Sequence, residues 1–179
     1  MPPSTDRLRS PNGCSSSSTA AVEEALNHSL RGLDRSRTLI VTSGARWTGR
    51  QPSFPGVTVL QVDCRHFHDA ENDRSLRGCV GRHPSIMQGL AGTEAMQELI
   101  NQVKDFLRTN PNGRLVINLF CTSGRHRSVA AGTMIYHYLN TTDAREPMLL
   151  HYHSPEWHDM SCRGHCSLCG TADAGNSAV

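Results

Sequence analysis

The stretch 114–140 constrains this chain more than any other. Leu115-Val116-Ile117-Asn118-Leu119-Phe120 is an almost unbroken apolar run, the pattern of a buried strand. Cys121-Thr122-Ser123-Gly124-Arg125-His126-Arg127-Ser128 follows, small and polar residues around one glycine and two arginines. Val129 to Leu139 then reads as a helix with much small or apolar surface. Strand, polar loop and helix in that order gather unpaired backbone N–H groups and a helix N-terminus at one point, which suits a phosphate or another anion. Arg127 adds a planar, bidentate charge clamp. The hydroxyls of Thr122, Ser123 and Ser128 are expected to donate to the same oxyanion.

Around this unit the chain alternates strands with helices, and the expected fold is a single α/β domain with a largely parallel sheet and flanking helices. Thr38–Thr42 and Val57–Val62 read as strands, with a further one at Met148–Tyr152. Ala20–Leu33 reads as a short helix. A clear helix starts after Thr93, which caps it ahead of Glu94, and Asn110-Pro111-Asn112-Gly113 stops it. Asp69–Ser85 reads as loop. Residues 1–19, with their prolines and serine run, read as a disordered leader, and 171–179 also read as disordered.

The 179 residues suffice for one such domain plus tails. Eighteen basic against 16 acidic residues leave a net charge of +2, too small to imply bulk attraction to nucleic acid or membrane. No window approaches an uncharged apolar run of about 18 residues, so no membrane span is expected. The start of the chain carries no apolar signal core, and a cytoplasmic location is expected. Seven cysteines without a secretion signal point to thiol or metal chemistry rather than a disulfide framework.

Residues 154–179 form a His/Cys-rich tail. Cys166 and Cys169 have the CxxC spacing of zinc knuckles, and His158 and Cys162, four apart, complete a candidate tetrahedral set for zinc; a redox pair or a disordered reduced tail is the alternative. Polar residues also end the second strand, where open α/β sheets place ligand groups: Asp63, Arg65 and Asp69.

Taken together, these pieces resemble the C-terminal domain of the RapZ (formerly YvcJ) family. The loop Cys121–Val129 resembles its signature. Thr38–Gly49 is similar to its opening strand and glycine-containing loop, Asp63-Cys64-Arg65 with Phe67 to its Asp-x-Arg strand end, and Leu76-Arg77 with Gly81 to its Leu-Arg…Gly segment. The likeness spans roughly 37–153. It implies a binding domain that senses a phosphorylated amino sugar and, in bacteria, binds small RNA and partner proteins. The implied ligand set is Thr122, Ser123, Gly124, His126, Arg127 and Ser128, extended to Asp63 and Arg65, with Arg125 from the same loop. Family members also carry an N-terminal P-loop domain, and no GxxxxGK[ST] occurs here. The bacterial basic tail is replaced by histidines and cysteines, which weakens the expectation of RNA binding. A homo-oligomer stays open.

The same loop spells Cys-x5-Arg-Ser, the spacing of Cys-dependent phosphatases. In that alternative Cys121 attacks phosphorus as a thiolate, Arg127 and Ser128 support it, and Asp63 or Asp69 serves as general acid. Phe120 stands where those enzymes usually carry histidine. The expectation therefore favours a binding domain over an enzyme, with an RNA- or protein-binding module as third reading.

Overall fold

A computed structural model describes residues 16–47, 49–142, 145–157 and 161–170. Its core is a four-stranded, all-parallel sheet in the order β2-β3-β1-β4, built from β1 (Arg37–Gly44), β2 (Thr58–Asp63), β3 (Leu115–Cys121) and β4 (Glu146–His151). The expected α/β architecture holds, and each expected strand is present within two residues of its expected ends. The two central strands are the most apolar because helices or loops cover both of their faces.

Alternation along β1 sorts the core into two halves. Leu39 and Val41 face one side with Val116 and Tyr152, under Leu26 and Leu30 of α1 (Ser16–Gly32). Ile40 faces the other with Ile117 and Leu119, under α2 (Pro84–Leu90), α3 (Glu94–Thr109) and α4 (Arg127–Asn140). Helix α3 buries Met96, Leu99 and Val103, spaced at three and four residues, and Thr93 caps it by accepting from the Met96 N–H.

Two expectations need correction. Asp69–Ser85 is not all loop: Ala70–Asn72 is a 3-10 turn capped by Asp69, and α2 starts at Pro84 behind the His83 cap. Proline at the first helical position was the signal for that start. Helix α1 begins at Ser16, inside the expected leader, whose residues 1–15 lie outside the described residues along with 171–179. The described residues of the tail contact the domain. Trp157 is buried, and the Cys162 N–H donates to the Gly78 carbonyl. A last short helix, α5, covers Ser167–Gly170. Among the described residues no helix is long and apolar enough to cross a membrane.

Topology fixes where a ligand can enter. The chain leaves β1 across β3 to reach β2, and it leaves β3 across β1, through α4, to reach β4. The two central strands thus send their connections in opposite directions, and a crevice opens at their C-terminal ends.

Candidate functional site

Two glycines let the ends of β1 and β3 meet in that crevice. A Cβ on Gly44 would lie 2.6 Å from the Ser123 carbonyl carbon, and one on Gly124 would lie 2.8 Å from the Gly44 nitrogen. Gly124 also has φ +70°, which favours glycine. On the other flank, a Cβ on Gly81 would sit 2.1 Å from the His126 carbonyl oxygen. The β3–α4 loop is therefore clasped backbone against backbone from both sides.

The clasp takes up the loop's carbonyls in succession. Cys121 accepts from the Ala45 N–H (2.8 Å), Thr122 from the Arg46 N–H (3.0 Å) and Arg125 from the Gly81 N–H (2.8 Å). Ser123 accepts from the Trp47 indole and Gly124 from the Trp157 indole, each at 3.0 Å. With five consecutive carbonyls held by the scaffold, the amides are left over. Among the described residues no group accepts from the backbone N–H of Ser123, Arg125, His126 or Arg127, and α4 has no side-chain N-cap. Those N–H groups and the positive end of a 14-residue helix meet at one place.

A small cavity of about 160 Å³ opens there, lined by Arg46, Asp69, Cys121, Thr122, His126 and Arg127 among others. Arg127 reaches it from the first turn of α4. Its guanidinium donates to the Arg65 carbonyl (2.6 Å) and the Thr122 hydroxyl (3.2 Å), and it pairs with Asp69 at 2.9 Å. Beneath the loop, the buried Cys121 Sγ accepts from the Gly124 N–H and faces the Ser128 hydroxyl, both at 3.3 Å. A larger cavity of about 470 Å³ shares Arg46, Glu71 and Ser123 with the first. Arg74, Arg77, Arg125, Glu156 and Trp157 complete much of its wall.

The expected residues divide by what their side chains do. Thr122, Ser123 and Arg127 line the small cavity. Ser128 does not offer its hydroxyl to a ligand: it is fully buried and faces Cys121 and the Ser43 carbonyl. Arg125 turns to Glu71 (3.0 Å) and the Arg77 carbonyl, on the larger cavity. His126 is 2% exposed and its Nε2–H donates to the Cys79 carbonyl at 2.8 Å. Burial holds the His126 pKa below the ordinary histidine value, aided by neighbouring Arg125, so the ring is neutral.

Asp63 and Arg65 pair with each other, Nε to Oδ1 at 2.9 Å, which holds the Asp63 carboxyl below its ordinary value. Only the Arg65 carbonyl touches the site, through Arg127. Of the two acids considered for the phosphatase alternative, it is Asp69 and not Asp63 that reaches the small cavity. Arg46, Glu71, Arg74, Arg77 and Trp157 belong to the walls; Glu71, Arg74 and Trp157 carry no local signal in the sequence beyond their charge or ring.

The residues expected to hold a metal are only partly described. Cys162, Cys166 and Cys169 come together, His158 lies outside the described residues, and Cys79 joins the group from 83 positions before Cys162.

Comparison with known proteins gives two findings. The family model of the RapZ C-terminal domain matches residues 50–154. A curated relative, a nucleotide-binding protein of Bordetella avium, is 32% identical over 82 residues, 42% of this chain and 28% of that protein. The matched stretch thus spans under a third of that relative's length.

Proposed function

Because the chain belongs to the RapZ C-terminal domain family, we propose that it binds a phosphorylated small molecule, a phosphosugar or a nucleotide, through the β3–α4 loop. One observation carries this reading: the carbonyls of residues 121–125 are all occupied by scaffold donors, while the adjoining amides and Arg127 converge on the small cavity. The phosphoryl group sits on those amides at the α4 N-terminus. Arg127 turns from Asp69 to the oxyanion, and Arg46 adds a second cation. The organic part of the ligand extends into the larger cavity, where Trp157 offers an apolar face and Glu71 and Glu156 offer acceptors for hydroxyl or amino groups.

The relative's name, a nucleotide-binding protein, supports a phosphorylated ligand in general and no particular one. A thermal-shift screen of phosphosugars and nucleotides, each beside its dephosphorylated form, tests the reading. A ligand at about 100 times its Kd adds about 2.7 kcal/mol to apparent stability. Phosphorylated compounds alone should raise the melting temperature; equal effects from both forms would remove the phosphoryl group from recognition.

One observation favours the second reading, a Cys-dependent phosphatase. Cys121 and Asp69 line the same small cavity as Arg127, which pairs with Asp69. In that reaction the Cys121 thiolate would attack phosphorus, Asp69 would protonate the leaving alcohol, and water would then release phosphate from the sulfur. Hydrolysis of an aryl phosphate that disappears in Cys121→Ser would establish it. The binding reading expects no turnover above background.

A further inference from the structure

Residues 161–170 are held on the domain with almost no apolar surface of their own. Leu168 is the one apolar side chain in the segment besides cysteine, and it is 51% exposed. Ordering ten residues costs conformational entropy that such a segment cannot offset by hydrophobic burial. What it buries instead is sulfur: Cys169 is fully inside, and Cys162 and Cys166 pack beside it against Val80, Val129 and Trp157.

Three of the thiols are arranged around a point, with the fourth beside them. The Sγ atoms of Cys79, Cys166 and Cys169 all lie within 4.8 Å of one another, and Cys162 Sγ is 3.4 Å from Cys169 Sγ. Four sulfurs at Zn–S distances of about 2.3 Å in a tetrahedron are about 3.8 Å apart. Cys79, Cys166 and Cys169 lie close enough together for that arrangement, and Cys162, in contact with Cys169, is the fourth thiol at hand. Backbone amides already point at two of them: Gly164 N–H to Cys162 Sγ at 3.4 Å and Cys169 N–H to Cys166 Sγ at 3.2 Å. Such contacts stabilise thiolate over thiol. Gly164 follows Cys162 with φ +84°, giving the tight turn that returns the chain toward Cys166.

Charge is partly offset as well. Four thiolates around a divalent ion leave a net charge of about −2. Arg82 packs against the backbone of Gly164, where a Cβ would lie 1.9 Å from its terminal nitrogen, beside this cluster. We propose that Cys79, Cys162, Cys166 and Cys169 form a structural zinc site that fastens the tail to the 76–81 segment. Four protein ligands close the coordination sphere, so the ion is structural and leaves no open position for substrate. The fastening lies directly behind the anion loop. Cys79 accepts from His126 through its carbonyl, Gly81 donates to Arg125, and Trp157 donates to Gly124. The metal site is argued independently of what that loop binds.

The test uses the full chain purified under reducing conditions without added metal or chelator. Elemental analysis is expected to find about one zinc per chain. Exchange for Co²⁺ should give the sulfur-to-metal charge-transfer band and strong visible absorption of a tetrahedral thiolate site. Cys79→Ser should lose the zinc, while Arg127→Ala and His158→Ala should keep it. The wild-type chain supplies a second measurement that does not depend on Cys79→Ser folding. Alkylation mapped by mass spectrometry should spare Cys79, Cys162, Cys166 and Cys169 together, and chelation should expose all four at once. A metal-free chain, or a Cys162–Cys169 disulfide in its place, would overturn the proposal. Loss of zinc in His158→Ala with retention in Cys79→Ser would overturn this ligand set.

Discussion

Arg127 and Gly81 show what single side chains decide here. Arg127 is the one loop arginine whose guanidinium reaches the small cavity, pairing with Asp69 there at 2.9 Å. Arg127→Ala should weaken phosphorylated ligands by about 2–3 kcal/mol, the loss expected for a charge-assisted contact, with little change in fold. Titration calorimetry checks this, and unchanged affinity would place the phosphoryl group elsewhere. Gly81→Ala acts on the scaffold instead. Its Cβ would meet the His126 carbonyl oxygen at 2.1 Å and the Ala130 nitrogen at 2.5 Å, and both are backbone atoms that cannot swing away. Overpacking of this kind costs about 1–3 kcal/mol or more, so chemical denaturation should show a lower midpoint. Arg127 was legible because its motif is local. The inward turn of Ser128 was not, because it depends on Ser43, 85 positions away.

At the scale of elements, the hinge between strand ends and loops is held by buried neutral histidines. His153 accepts from the Gly44 N–H at Nδ1 and donates from Nε2 to the Arg50 carbonyl, each at 2.8 Å, tying β1 to the segment after β4. His151, at the end of β4, contacts the Thr42 hydroxyl at 2.8 Å, and burial pushes its pKa down to about 3. Burial likewise lowers His153 and His126. All three prefer the neutral form when folded, whereas the unfolded chain takes up protons near the ordinary histidine value of about 6.5. Their stabilising contribution is therefore complete above that value and declines as pH falls below it. For His151 the decline continues toward its folded pKa of about 3. His151 alone loses about 2 kcal/mol by pH 5. Melting temperature should be flat above pH 7 and fall between pH 6.5 and pH 5, before most carboxylates titrate. A melting temperature unchanged across that interval would contradict the neutral buried rings. The strands and α3 were legible from alternation, helical spacing and a capping threonine. Helix α2 was not, because seven residues carry too little periodicity to stand out.

At the scale of the whole molecule, the candidate site exists because the connections leaving β1 and β3 diverge and because segments remote in sequence close around the strand ends. The sequence pattern identifies the strand–loop–helix unit and hence the parallel sheet and the loop between β3 and α4. It does not place Arg46, Asp69 or Trp157 beside that loop, nor Cys79 beside Cys166, since those meetings depend on the chain path through the sheet order β2-β3-β1-β4. The clasped carbonyls are equally invisible, because their donors come from residues 45–47, 81 and 157.

The central claim is that the amides of the β3–α4 loop receive a phosphoryl group. A residue-resolved amide NMR titration with glucose 6-phosphate and adenosine monophosphate, each beside glucose or adenosine, tests it most directly. Saturable shifts should centre on the N–H resonances of Ser123 to Ser128 and the Arg127 side chain, for at least one phosphorylated compound and for neither dephosphorylated form. Saturable shifts from these compounds that centre on another surface and leave those amides unmoved would contradict the account.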